Sequence, residues 1–335
     1  MAEKQRLSAV TTKRPAEGES DLVPVADKPL GRTTRRLLDA GERIVAEPPE
    51  RNDYLHTVMC QVGMPRRATE ARTFERHSGH ISIHLEAGSL YNGTDWVPQP
   101  LPYGTTPRLV MVHLSSEAIR TQNRSVEIGD SMRQFLLTLG MGDGGGPRGG
   151  YTAVRKQVEA LAACRLTIGM NLSGRVVNVD AKPIKRFEAW LHHDGSQQTL
   201  WPGVMELSPD FYETLTQHAV PLDYRALSAL KHSALALDIY TWLAHRLCRI
   251  NQPSGVMLSW TNLREQFGQE YHNPKDFKRA FRHVLRQVLV VYPSARIEEI
   301  IGGIRLHESP PPIPRTSISL SHGQPDPQPV DNSEG

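Results

Sequence analysis

The clearest periodic pattern in the chain runs from residue 274 to 288, PKDFKRAFRHVLRQV. Phe277, Phe281, Val284, Leu285 and Val288 recur at helical spacing and define one apolar face. Lys275, Lys278, Arg279, Arg282 and Arg286 fall mostly on the other face, and Asp276 is the only acid in the segment. Asn273 is a good N-cap and Pro274 suits the first helical position, so the start is well marked. A second helix, WTNLREQFG (260–268), precedes this one. RIEEIIGGIRLHE (296–308) follows and reads as a hairpin turning at Gly302-Gly303. Helix, turn, basic helix and strand pair together predict a winged helix-turn-helix.

The same order of patterns occurs once upstream. Residues 125–140 read as a short strand and a helix, with Ser131 and Gln134 spaced as a capping box. Residues 151–168 read as a helix running into a strand, and the segments from 165 to 207 supply strands for a wing and a small antiparallel sheet. Elsewhere, 80–88 reads as a strand, 107–122 as a helix capped by Thr106, and Ser208-Pro209 as a helix start. Leu235, Ile239, Trp242, Leu243 and Leu247 form a wide apolar stripe that belongs in a core. The expected fold class is α+β: two tandem winged-helix domains with disordered N- and C-terminal tails. The expected divisions are a mostly disordered segment 1–52, a first domain 53–218, a second domain 219–308 and a Pro-rich tail 309–335. The joint falls in HAVPL (218–222).

Composition changes this picture little. The 335 residues suffice for two domains, and a hydrophobic content of 39% agrees with unstructured ends that cannot offset their ordering entropy. A formal charge of +3 is weak by itself; the signal lies in local clustering of basic residues. Cys60, Cys164 and Cys248 are far apart and show neither metal spacing nor a disulfide framework. No leader and no membrane-length apolar run is present, so a reducing cytoplasm is the expected location.

The candidate chemistry is DNA binding. Lys275, Lys278, Arg279, Arg282 and Arg286 form an almost purely cationic face, where a solubilising face usually alternates signs. They also lie on the helix that enters the major groove in a helix-turn-helix. In the first copy, Arg148, Arg155 and Lys156 are the counterparts, diluted by Glu159, and Arg175, Lys182, Lys185 and Arg186 are candidate wing contacts. The Gly-rich turn 140–150 is followed by Tyr151-Thr152-Ala153 and lacks the Gly-Lys-Ser/Thr of a phosphate loop, which argues against an ATPase. His77, His80 and His84 have no further ligand at supporting spacing, so no metal site is assigned. No catalytic residue and no cofactor is expected.

Three blocks carry a resemblance: 101–141 with 151–164, 208–215, and 221–247 with 260–268. Together they resemble RepA-type plasmid replication initiators of broad-host-range, IncW-like plasmids. That resemblance covers most of residues 75–308. It implies a non-enzymatic initiator that binds double-stranded DNA at directly repeated origin sequences, called iterons. Such a protein helps open an adjacent AT-rich segment and recruits host replication initiator and helicase proteins. The resemblance further implies two winged-helix domains and a homodimer exchanging with a DNA-binding monomer. Two rivals stand beside it: an autoregulatory transcriptional repressor, which needs an inverted repeat, and a primase or nicking enzyme. The enzyme needs clustered metal-binding carboxylates or a His pair with a tyrosine nucleophile.

Overall fold

The computed structural model describes residues 31–128, 132–140, 150–172, 175–180, 182–194 and 197–314. Ser131, Arg148 and most of the Gly-rich turn lie outside the described residues. The N-terminal part contains α1 (Arg32–Ala46), β1 (Asn52–His56), α2 (Thr57–Gln61), and two hairpins. The hairpins are β2 (Thr73–Ser78) with β3 (Ile81–Glu86), and β4 (Ser89–Tyr91) with β5 (Trp96–Pro98). The middle runs α3 (Thr105–Thr121), β6 (Ser125–Glu127), α4 (Met132–Thr138) and α5 (Gly150–Ala163). Four strands follow: β7 (Arg165–Leu172), β8 (Arg175–Asp180), β9 (Ile184–Asp194) and β10 (Gln197–Leu207). The remainder is α6 (Pro209–His218), β11 (Ala219–Asp223), α7 (Tyr224–Leu230), α8 (Ala234–Arg246), β12 (Val256–Ser259), α9 (Trp260–Phe267), α10 (Pro274–Val291), β13 (Ile297–Ile300) and β14 (Gly303–Leu306).

Five helix starts follow the capping chemistry of the sequence, whereas α3 starts at Thr105 after Gly104, so Thr106 lies inside the helix and is not its cap. Ser208, Asp223, Ser233, Ser259 and Asn273 each accept a backbone N–H from the first turn of the helix they precede. Two helices are buried along most of their length. In α8 every residue from Leu235 to Ala244 is buried, and α3 buries most of its length. These two helices pack against each other at the centre.

The order helix, strand, helix, helix, strand, strand occurs twice around them. It runs α3-β6-α4-α5-β9-β10 and α8-β12-α9-α10-β13-β14. Both units build an antiparallel sheet in which the last strand lies between the other two, β6-β10-β9 and β12-β14-β13. In the first unit the β7–β8 hairpin is an insertion: β7 pairs with β3, giving a separate sheet β2-β3-β7-β8. The wing-like hairpin of this unit is therefore β9–β10, within the 165–207 stretch expected to supply it. In the second unit the hairpin turns at Ile301–Gly302, one residue earlier than the Gly-Gly pair suggests, with Gly302 at φ 90°. Gly303 is already in β14, where a Cβ would meet the Leu258 carbonyl oxygen at 1.9 Å.

Three expectations change. Residues 32–46, inside the segment read as unstructured, form α1, which packs on α7 and α10. Gly41 lets the helices touch, since a Cβ there would lie 2.6 Å from the Val290 carbonyl oxygen. Arg36 donates twice to the Ala229 carbonyl, and Arg225 donates to the carbonyls of Arg43 and Glu47 at the end of α1. Residues 219–223 are not an exposed joint but a buried strand, β11, paired antiparallel with β1. At the other end, Ser309 and Ile313 are buried and Tyr292 donates to the Pro310 carbonyl, so packed structure continues past 308.

A buried ionic cluster ties the two halves together. Arg108 on α3 donates to both Asp238 carboxylate oxygens on α8, at 2.6 and 2.8 Å. Its remaining donors take the carbonyls of Met64, Pro65 and Gly104. Gly63 leaves room for the Asp238 carboxylate; a Cβ would sit 2.6 Å from its oxygens. Arg76 on β2 is fully buried, donates to the carbonyls of Gly63 and Met64, and reaches Gln269 at 3.3 Å and Glu270 at 2.7 Å. Arg66 donates to the other Glu270 oxygen and to the Phe267 carbonyl. Burial alone raises the Glu270 carboxyl, but Arg66 and Arg76 outweigh it and hold it below the usual carboxylate range.

Candidate nucleic-acid interface

Helix α10 begins at Asn273, whose side chain accepts the Lys275 N–H at 2.8 Å. Its apolar face, Phe277, Phe281, Val284, Leu285, Val288 and Val291, is buried. Phe277 and Phe281 pack on each other, Phe281 also meets Phe267 and Trp260, and Tyr271 closes on Phe277. The opposite face is open. Lys275, Arg279, His283 and Arg286, spaced i, i+4, i+8 and i+11, form its exposed centre line. The Arg279 side chain is 83% exposed, and its one ion pair is with Asp276 at 2.8 Å, a surface contact of small worth.

Lys278 and Arg282 belong to the edge of this face rather than to its centre. Both are half-buried. Their cationic groups lie 4.9 and 5.4 Å from the centroid of the Trp260 ring, at the start of α9. Arg282 also pairs with Glu299 on β13. The basic face read from the sequence thus divides into an exposed stripe and two cations held by a tryptophan. Sequence periodicity separates buried from exposed positions, but it carries no sign of the Trp260 stack, which forms across the helix turn.

An open cleft of about 680 Å³ adjoins the stripe, with His77, Trp260, Lys275 and Lys278 in its lining. His77 follows the buried Arg76 on β2, so strand alternation sends one residue inward and the next to this cleft. His84 contacts Glu75 at 3.0 Å across the β2–β3 pair. Among the described residues no group of three or more His, Cys, Asp or Glu side chains is placed to hold a metal ion. No described helix is long and apolar enough to cross a membrane.

In the first unit, α5 occupies the position that α10 holds in the second. Lys156 is exposed; Arg155 is half-buried and lies 3.7 Å from Glu159. Burial pushes the Glu159 carboxyl up, against the pull of Arg155 and Lys156. Of the candidate wing residues, Arg175 opens β8 and belongs to the inserted hairpin, while Lys185 and Arg186 are exposed on β9. Arg186 lies 4.0 Å from Glu206, which Arg124 also contacts at 3.0 Å. Arg155 and Arg186 thus each lie beside an acid, whereas the α10 stripe faces outward.

A family model described as plasmid encoded RepA protein matches residues 101–262. Among solved structures, the crystal structure of SeMet derivatives of domain 2 and domain 3 of RctB is similar, with a TM-score of 0.46 and 11% identity. That similarity covers 74% of this chain and 96% of the other. No curated protein matches the chain.

Proposed function

We propose that this chain, whose residues 101–262 match a family model described as plasmid encoded RepA protein, is a replication initiator that binds the plasmid origin through two winged-helix units. The second unit makes the principal contact. The exposed stripe Lys275, Arg279, His283 and Arg286 carries this reading. It is cationic and lies on the third helix of an α8-β12-α9-α10-β13-β14 unit, the helix that reads the major groove in helix-turn-helix proteins. The fully exposed Ile301 at the tip of β13–β14 marks the hairpin as a wing that lies along the duplex. The repeated strand order β6-β10-β9 and β12-β14-β13 supports a duplicated unit.

The two third helices differ in charge and in sequence, so the bound DNA is asymmetric and suits direct repeats. Loading of several copies in one orientation strains the adjacent duplex and assembles host replication proteins there. This chain's own residues bind and bend DNA and perform no bond chemistry. A homodimer with a two-fold axis fits an inverted repeat and hence repression of its own promoter. Hydroxyl-radical footprinting over origin and promoter tests the proposal. Protection of about two turns per copy, on the order of 20 bp, in head-to-tail repeats is expected. Protection of inverted repeats alone would identify a repressor instead.

A further inference from the structure

We propose that Arg76 and Glu270 are positioning residues that fix the phase between the two helix units, so that the chain engages DNA as one rigid body and not as two tethered modules. The inference rests on the two-unit reading above. Glu270 lies in the turn between α9 and α10, the turn that sets the angle at which α10 projects. That turn is held from outside its own unit. Arg76, fully buried on β2, takes Gln269 with Nε and Glu270 with Nη2. Arg66 takes the second Glu270 oxygen, the end of α9 at Phe267, and through its backbone N–H the first Glu270 oxygen at 3.3 Å. Gln266 on α9 donates to the Gln61 carbonyl at the end of α2.

The cluster continues into the first unit. Arg66 Nη1 lies 3.8 Å from Asp238 on α8, and Asp238 holds Arg108 on α3 in a bidentate pair. Arg76 and Arg108 both donate to the Met64 carbonyl, so one loop strand, 63–66, serves as the common anchor. Three guanidinium groups and two carboxylates therefore span both first helices and the α9–α10 turn. Bidentate arginine geometry is directional. A buried pair that loses one partner is left with an uncompensated charge, so a rotated arrangement of the units has no equivalent minimum. Since β2 also lines the cleft beside Lys275, the element that holds the turn sits directly against the DNA-facing stripe.

Two measurements test this. The first needs no DNA. Spin labels on Val176→Cys, in the sheet containing Arg76, and Ile301→Cys, on the wing, report the distance between units. Both sites are exposed, and a Cys248→Ser background removes the half-buried native thiol while the other two cysteines stay buried. A single narrow distance is expected, broadened by Glu270→Gln. A distance already broad in the background protein, or one left narrow by Glu270→Gln, overturns the proposal. The second measurement inserts about five base pairs, half a helical turn, into the middle of the footprinted site. The background protein should lose affinity on the order of a hundredfold, because both contacts can no longer be made together. Glu270→Gln should lose much less. Tolerance of the insertion by the background protein overturns the proposal. If Glu270→Gln does not fold, the background protein's distance and insertion response still decide. Failure to bind the origin at all sinks the proposed function, while the distance distribution still judges the Arg76–Glu270 contact.

Discussion

His56 shows how far one side chain can couple stability to pH. Its Nδ1 accepts the Val58 N–H and caps α2, so the neutral ring carries its proton on Nε2, which donates to Thr214 at 3.0 Å. The ring stacks on Phe211. Burial, with His218 adding to it, pushes the His56 pKa down to about 4. An unfolded chain protonates a histidine near pH 6.5. Between pH 6.5 and 4 the unfolded chain therefore binds the proton and the folded chain does not. Stability from this group is complete above pH 6.5 and falls as pH decreases, by up to about 3 kcal/mol near pH 4. Burial pushes His245 down to about 4 as well, and its effect has the same sign. Urea midpoints measured from pH 7 to pH 4 should fall, and His56→Gln should flatten that fall while lowering the midpoint at pH 7. A midpoint independent of pH would show that these rings are solvated. Asp238→Ala tests the buried ions at the same scale. It leaves the buried Arg108 with carbonyl acceptors but no counter-ion and should cost about 3–5 kcal/mol.

At the scale of elements, α10 allows binding and folding to be separated. Replacing Lys275, Arg279 and Arg286 together by Ala removes charge from an open face and leaves the apolar face intact. Affinity for the origin should fall, and the slope of log affinity against log salt should flatten by about 0.9 for each phosphate that is no longer neutralised. The circular-dichroism spectrum and melting temperature should not change. An unchanged salt slope would put the stripe off the DNA. Lys278 and Arg282 should behave differently, because both cover Trp260. Their replacement by Ala should lower stability by about 1 kcal/mol as well as weakening binding, and Trp260 fluorescence reports whether the stack is present. Helix α1 supplies a further test. Truncation to residue 48 removes Leu37, the Arg36 bonds to Ala229 and the close approach of Gly41 to α10. The truncated chain should melt at lower temperature than the full chain, contrary to what the composition of 1–52 suggests. An unchanged melting temperature would make α1 a detachable arm.

For the whole molecule, shared packing outweighs division into domains. The first helices of both units, α3 and α8, meet in one core, and β1 and β11 pair across the position where the sequence suggests a linker. Thermal unfolding should therefore be a single transition, with one calorimetric peak whose van't Hoff and measured enthalpies agree. Two resolved peaks would mean that the units are independent. Packing runs across all three expected divisions, at 52, 218 and 308.

Local chemistry makes part of this legible in the chain. The α10 start, its buried and exposed faces, the caps at Ser208 and Asn273, the β13–β14 hairpin and the apolar α8 follow from periodicity and turn residues, since each is decided within a few residues, whereas the helix runs three residues past 288, to Val291. The family resemblance rests on several ordered blocks, and the match over 101–262 agrees with it. Other features depend on partners distant in the chain. Helix α1 carries an amphipathic periodicity as marked as that of α10, with Leu37, Ala40, Gly41 and Ile44 on one face, but it lies in a stretch of disordered-type composition and only α7 and α10 show what that face packs against. Strand β11 looks like a Pro-containing break until β1, far earlier in the chain, supplies its hydrogen bonds. The strands from 165 to 207 do not announce which of them form the wing, and only the pairing of β7 with β3 sets the β7–β8 hairpin apart. Arg66, Arg76 and Arg108 look like ordinary surface charges in sequence. Only the folded chain brings them to Asp238 and Glu270, because a buried charge is tolerated only where long-range packing provides its counter-ion.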